Sequence, residues 1–281
     1  MTHAAQQLRM MLNGPEMVVA PFVFDAFQAC IAQDAGFRAI YMTGFGTAAA
    51  RGFPDVGLLT MAEMVDNVRY IAGAVNIPLI CDADTGYGNP VNVYRTVREY
   101  EAAGAAALHI EDQVWPKRCG FLAGKQVIPL AEMVPKVKAA CDARHDANFV
   151  IIARTDALAV NGWGDVEKRA RAYYAAGADL IFVDGIRTLD DVKSYTERIG
   201  DLPLLYNGQL LSVPEIAKLG FKLTIYSATL MAFYLRMRDV MRELKVTGAV
   251  AQSSGPGLFD EMTTLLGVKD ALELGKQYEH E

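Results

Sequence analysis

Ala103-Gly104-Ala105-Ala106-Ala107-Leu108-His109-Ile110 reads as a helix end followed by a short strand, and its recurrence decides the fold. Glycine in the left-handed conformation stops a helix. The apolar run behind it has the character of a parallel strand buried on both faces. The same unit returns at Ala35-Gly36-Phe37-Arg38-Ala39-Ile40-Tyr41-Met42, at Ala176-Gly177-Ala178-Asp179-Leu180-Ile181-Phe182-Val183 and at Leu219-Gly220-Phe221-Lys222-Leu223-Thr224-Ile225-Tyr226. Four further strand candidates lie between these, at 18–24, 78–82, 149–154 and 203–206. Eight strands with helical patterns between most of them predict an α/β fold, a (β/α)8 TIM barrel with a C-terminal helical extension. A doubly wound open sheet is the competing reading, but no Gly-x-Gly-x-x-Gly follows the first strand.

The chain of 281 residues suits one barrel, and its 52% hydrophobic content supports a large core. Residues 1–245 are assigned to the barrel and 246–281 to a connector and helical tail of the same domain. The tail carries Phe259, Met262, Leu265, Leu266, Val268, Leu272 and Leu274, an amphipathic set that packs on its own barrel or on a second subunit. A net charge of −6 gives no basis for nucleic acid or an anionic membrane as partner. No apolar run approaches the ~20 residues needed to span a bilayer. Residues 1–7 lack a signal-peptide pattern, so a cytoplasmic enzyme is expected. None of the four cysteines has CxxC spacing. Cys30, Cys81 and Cys141 read as core packing. Cys119 differs, because Pro116-Lys117-Arg118-Cys119-Gly120 is a basic loop whose cations lower a thiol pKa.

Asp82-Ala83-Asp84 and His109-Ile110-Glu111-Asp112 each end an apolar strand. Unpaired buried carboxylates are costly, and several that converge need a cation between them. Oxygen-rich sites with spare water positions suit Mg²⁺, with Mn²⁺ as the other candidate. The remaining polar strand ends fall on the same rim: Thr43 and Gly44, Arg154 and Asp156, Asp184, Asn207 and Ser227. That C-terminal rim is where barrels build active sites. Structural readings stand beside these. His109 could serve a neighbouring carboxylate, Arg154 a rim salt bridge, Asp55 a turn, and Asp156 is read as the cap of the following helix. After the fourth strand, residues 113–127 carry Gly120 and Gly124 in the Cys119 segment, and glycine hinges permit a loop to close over a ligand. Lys117 and Arg118 would there neutralise an anionic substrate.

These motifs resemble the isocitrate lyase/phosphoenolpyruvate mutase superfamily, particularly its 2-methylisocitrate lyases, 2,3-dimethylmalate lyases and carboxyphosphonoenolpyruvate mutase. The likeness runs from about Pro21 into the tail. It rests on Met42-Thr43-Gly44-Phe45-Gly46-Thr47, on Asp82-Ala83-Asp84-Thr85-Gly86-Tyr87-Gly88-Asn89, on Glu111-Asp112-Gln113 with Pro116-Lys117-Arg118-Cys119-Gly120, and on Ile151-Ile152-Ala153-Arg154-Thr155-Asp156-Ala157. The resemblance implies that Asp84 ligates Mg²⁺ directly while Asp82 and Glu111 hold metal-bound waters. Tyr41, Thr43 and Gly44 would contact the carboxylate end of an α-keto or 2-hydroxy acid, with Asp55 at its oxygen and His109 on the same rim. Arg154 would bind the developing oxyanion and Asn207 the second half of the substrate. Cys119 would be the general acid on a gating loop with Lys117 and Arg118 beside it. The resemblance also implies a homotetramer that exchanges its last helix.

Three departures fall on the substrate's distal half. Phe121 follows Cys119-Gly120 where the lyases usually carry histidine, Asp184 replaces a glutamate, and the loop after Asn207 is short. The expected function is a Mg²⁺-dependent lyase that cleaves a substituted malate-like 2-hydroxy acid to an α-keto acid and a carboxylate. The alternatives are an oxaloacetate-type decarboxylase or hydrolase, a phosphonomutase, and a non-catalytic relative.

Overall fold

A computed structural model describes residues 2–120, 122–251 and 255–279. Its strands are β1 Val18–Val23, β2 Ile40–Met42, β3 Leu79–Asp82, β4 Ala107–Glu111, β5 Val150–Thr155, β6 Leu180–Val183, β7 Leu204–Asn207 and β8 Leu223–Tyr226. All neighbours pair in parallel, and Val18↔Leu223 through Pro21↔Tyr226 joins β8 to β1, closing the barrel. That closure excludes the open sheet. β4 begins at Ala107, because Ala105 N–H still donates to Tyr100 C=O at the helix end, 3.1 Å away. Gly104 makes this turn at φ +103°, and a Cβ there would meet the Ala72 methyl at 2.9 Å. Only glycine satisfies both constraints.

Side chains alternate across each strand, so the core has two layers. Met42, Cys81, Leu108, Ile110 and Ala153 face the surrounding helices. Tyr41, Ile80, Ala107, Ile152 and Phe182 fill the barrel interior. The same period of two carries Asp82, His109, Glu111 and Arg154 onto the inward side, above that interior layer. Cys30 and Cys141 are partly buried against the outer layer, and only Cys81 of the three expected core cysteines is fully enclosed.

Helix Thr2–Asn13 was not anticipated from the sequence. Its Ala5, Leu8 and Leu12 belong to the interior cluster with Val18, Leu180 and Leu223, the first residues of their strands. The helix therefore stoppers the N-terminal end of the barrel. Arg9 Nη1 pins it to Asp179 at 2.6 Å. Leu8 is fully buried, so Leu8→Ala is expected to cost about 2–5 kcal/mol in urea unfolding. Loss below 1 kcal/mol would mean that the stopper contributes little.

Helix Ala228–Thr247 runs two residues past the expected boundary at 245 and ends at Gly248, φ +73°. Helices Leu258–Leu265 and Val268–Lys276 follow, and they leave Phe259, Leu272 and Leu274 more than half exposed. Among the described residues, no helix is long and apolar enough to cross a membrane.

Candidate active site

The sheet register places Asp82 beside His109 and Glu111 beside Arg154 at the C-terminal strand ends. Ligand atoms of Asp82, His109 and Glu111 lie within 4.8 Å of one another, and all three residues are buried. Asp84 takes φ +48°, a left-handed conformation that is uncommon for a non-glycine residue. Two hydrogen bonds hold it there: its N–H donates to Asp82 Oδ1 at 2.9 Å, and its carbonyl accepts from Glu111 N at 2.9 Å. Gly44 N–H donates to the other Asp82 oxygen at 3.1 Å. A Cβ at position 44 would meet Asp82 Oδ2 at 2.6 Å, so this approach requires glycine. Tyr41 Oη lies 2.6 Å from His109 Nε2.

Burial lowers the His109 pKa to about 4, against the pull of Asp82, so the imidazole is neutral near pH 7. Burial pushes Tyr41 well up and keeps it a phenol. Burial likewise drives Glu111 well above the usual carboxylate range, more than Arg154 restores. Asp82 lies below its usual range, because His109, Lys117 and Arg154 outweigh its burial.

Glu111 Oε1 is buried with no hydrogen-bond donor among the described residues. An unsatisfied carboxylate oxygen at such a site calls for a cation, and an oxygen-rich donor set favours a hard one. The residues therefore fit a divalent metal. Asp84 is not in the group of three: its Oδ1 stands 2.8 Å from Lys117 Nζ, which also contacts Asp55 at 2.5 Å. Burial, helped by Asp82 and Asp55, raises the Asp84 pKa to about 6 despite Lys117. The charged carboxylate, present above that pH, is the form that attracts a cation. If Asp84 holds a divalent metal ion, affinity for that ion is expected to fall about tenfold per pH unit as the pH drops below 6. Calorimetry at pH 7.5 and 5 checks this, and equal affinities would contradict it.

Arg154, fully inward, gives Asp156 a two-pronged pair at 2.9 and 3.0 Å. It also reaches Glu111 at 3.2 Å and Asp184 at 3.4 Å. Asp156 is therefore not the expected helix cap. Helix Leu158–Asn161 has no side-chain cap, and Arg154 and Lys125 claim both Asp156 oxygens. Lys125, which the sequence did not single out, bridges Asp156 at 2.8 Å and Asp184 at 3.0 Å. Asp112 also belongs elsewhere, since one step beyond Glu111 turns it outward. There it accepts from Thr155, Tyr173 and Arg169 at 2.7, 2.7 and 3.1 Å.

The 113–127 loop lies against this rim, its ends joined by the Gln113↔Val127 bridge. Lys117 holds Asp55 and Asp84, Cys119 N–H donates to Asp55 C=O at 3.0 Å, and Gly120 packs so closely on Asp184 that a Cβ there would clash with its carboxylate. Cys119 itself is half-buried. Arg118 corrects an expectation: its side chain is exposed and donates to Ala123 C=O at 2.9 Å, within the loop, so it does not enter the site. Phe121 lies outside the described residues. Thr43 is buried at the rim, where its hydroxyl caps helix Gly44–Ala50 by accepting from Gly46 N. Asn207, at the end of β7, has a buried Oδ1 without a donor among the described residues.

The family profile described as phosphoenolpyruvate phosphomutase matches residues 8–245. The chain is 41% identical to the 2,3-dimethylmalate lyase of Eubacterium barkeri, covering 98% of this chain and 96% of that one. The structure of an oxaloacetate acetylhydrolase in complex with 3,3-difluorooxalacetate superposes with a TM-score of 0.92 at 36% identity, over 98% of this chain and 97% of that one. A phosphonopyruvate hydrolase in complex with oxalate and Mg²⁺ superposes with a TM-score of 0.89 at 31% identity, over 98% and 99%.

Proposed function

The chain belongs to the phosphoenolpyruvate mutase/isocitrate lyase superfamily, and on that premise we propose that it is a Mg²⁺-dependent carbon–carbon lyase cleaving a substituted malate-like 2-hydroxy acid. The observation that carries this reading is the buried Glu111 carboxylate, one oxygen unsatisfied, set between Asp82 and Arg154 beside the Cys119 loop. Similarity to a 2,3-dimethylmalate lyase over nearly the whole chain supports the same substrate class.

Asp82, Asp84 and Glu111 would hold the metal. When bound, Mg²⁺ would supply Lewis acidity that stabilises the keto acid as it forms from the 2-hydroxy acid. Neutral Tyr41, with Thr43 and Gly44, lines the end of the site that takes the carboxylate. Asp55 and His109 flank it, and Asn207 faces the other half. As the carbon–carbon bond breaks, its electron pair stays on the carbon next to the distal carboxylate, the hydroxyl becomes the keto group of the other fragment, and the hydroxyl proton passes to Asp55, the carboxylate placed at that oxygen. Arg154 stabilises the oxyanion. Burial disfavours charge on Lys117, but Asp84, Asp82, Glu111 and Asp55 more than reverse this and keep it protonated. Lys117 therefore acts as fixed positive charge and not as a base. Cys119 gives its proton to the carbanion, while the loop, with Gly120 on Asp184, excludes water.

A second reading, hydrolysis or decarboxylation of an oxaloacetate-type acid, is favoured by the likeness to oxaloacetate acetylhydrolase. A panel of 2,3-dimethylmalate, 2-methylisocitrate and oxaloacetate, assayed for keto acid and carboxylate with Mg²⁺ and with EDTA, separates the two. The lyase reading expects keto acid from a substituted malate with metal and none with EDTA. Turnover of oxaloacetate alone would favour the second reading. The exposed Phe259, Leu272 and Leu274 support a homotetramer with exchanged tail helices. A monomeric mass in light scattering would refute that assembly.

A further inference from the structure

Two lysines tie the 113–127 loop to the rim, and only Lys117 has a place in the chemistry above. Lys125 lies near the other end of the loop, inside the stem formed by Val114 N–H to Gln126 C=O at 2.9 Å and Ile128 N–H to Asp112 C=O at 2.8 Å. Its side chain is 2% exposed. Lys125 Nζ and Arg154 Nη2 share the same two acceptors: Asp156 Oδ1 at 2.8 and 3.0 Å, and Asp184 Oδ2 at 3.0 and 3.4 Å. Two cations thus face two carboxylates in a neutral quartet. Without Lys125, Arg154 alone would serve both acids, with Glu111 as a third. Its guanidinium would be drawn toward Asp184, and its charge would be spent on the protein.

We propose that Lys125 is a positioning residue: by sharing Asp156 and Asp184 with Arg154 it fixes the Arg154 guanidinium for the substrate oxyanion and fastens the distal stem of the loop to the rim. The assignment deepens the lyase reading and rests on it for the oxyanion. Misplacing a binding group by ~1 Å can cost about 100-fold in rate, and Lys125→Met is expected to lower kcat/KM by about that factor. Hydrogen exchange should quicken at residues 113–127 and stay unchanged in the barrel strands, since only the local opening is altered. Lys125→Arg, which keeps the charge, should stay within about tenfold of the parent. Adding Asp184→Asn to Lys125→Met restores neutrality and should recover at least tenfold, a non-additivity expected of one charge network.

The assignment is overturned if Lys125→Met leaves loop exchange and oxalate affinity with Mg²⁺ unchanged, or if the double variant loses the product of the two single losses. Should Lys125→Met fail to fold, Lys125→Arg and the neutral double variant decide through the same exchange measurement. Absence of turnover on every acid tried would defeat the lyase reading, while the exchange and oxalate measurements would still decide the role of Lys125.

Discussion

Arg154→Met is expected to reduce turnover by about 10²–10³ and to destabilise the fold. The rate loss is that of removing one oxyanion-stabilising group. The stability loss has a separate origin. Arg154 is the cation that Glu111, Asp156 and Asp184 hold in common, and its guanidinium also lies 5.1 Å from the centre of the Phe182 ring. Breaking a buried ion pair from one side costs about 3–5 kcal/mol, because the remaining charge is stranded. Lys125 can still serve Asp156 and Asp184 but does not contact Glu111, so the strain concentrates at Glu111. Arg154→Lys should rescue stability better than rate, since an ammonium is a point charge and cannot reproduce the two-pronged contact with Asp156. Urea unfolding and steady-state kinetics on both variants check this. A Met variant as stable as the parent would show that the quartet is not held by Arg154.

Cys119→Ala should leave the fold intact and lower kcat by about 10²–10⁴, the range for loss of a general acid. The side chain is half-buried on a loop whose backbone is fixed by Lys117 and by the Cys119 N–H bond to Asp55. Stability should therefore change by no more than about 0.5 kcal/mol. Oxalate affinity with Mg²⁺ should stay the same, because the acids and Arg154 are untouched. This split separates a proton donor from a structural thiol. Unchanged kcat would remove Cys119 from the chemistry.

The barrel was legible because four of its strands are apolar runs behind a helix-stopping glycine and the other four are apolar runs between them, and alternation within those runs already separates Glu111 from Asp112. Longer-range features were less legible. Lys125 reaches Asp156 and Asp184 only because the Gln113↔Val127 bridge folds the loop back on itself, and nothing in the local sequence encodes that return. Asp156 looked like a helix cap partly for the same reason, since one of its two cations, Lys125, lies 31 residues away in the chain, although the other, Arg154, is only two residues distant. Arg118 is adjacent to Cys119 yet turns outward, because neighbouring loop residues need not share a face. The stopper helix did leave a signal. Ala5, Leu8 and Leu12 lie on one helical face at spacings of three and four.

The most direct test of the lyase account is proton NMR of 2,3-dimethylmalate incubated with the enzyme and Mg²⁺ in D₂O. The account predicts keto acid together with propionate carrying one deuterium at the carbon that had borne the carbanion, and no product with EDTA. Intact dimethylmalate beside rapid conversion of oxaloacetate under the same conditions would contradict it.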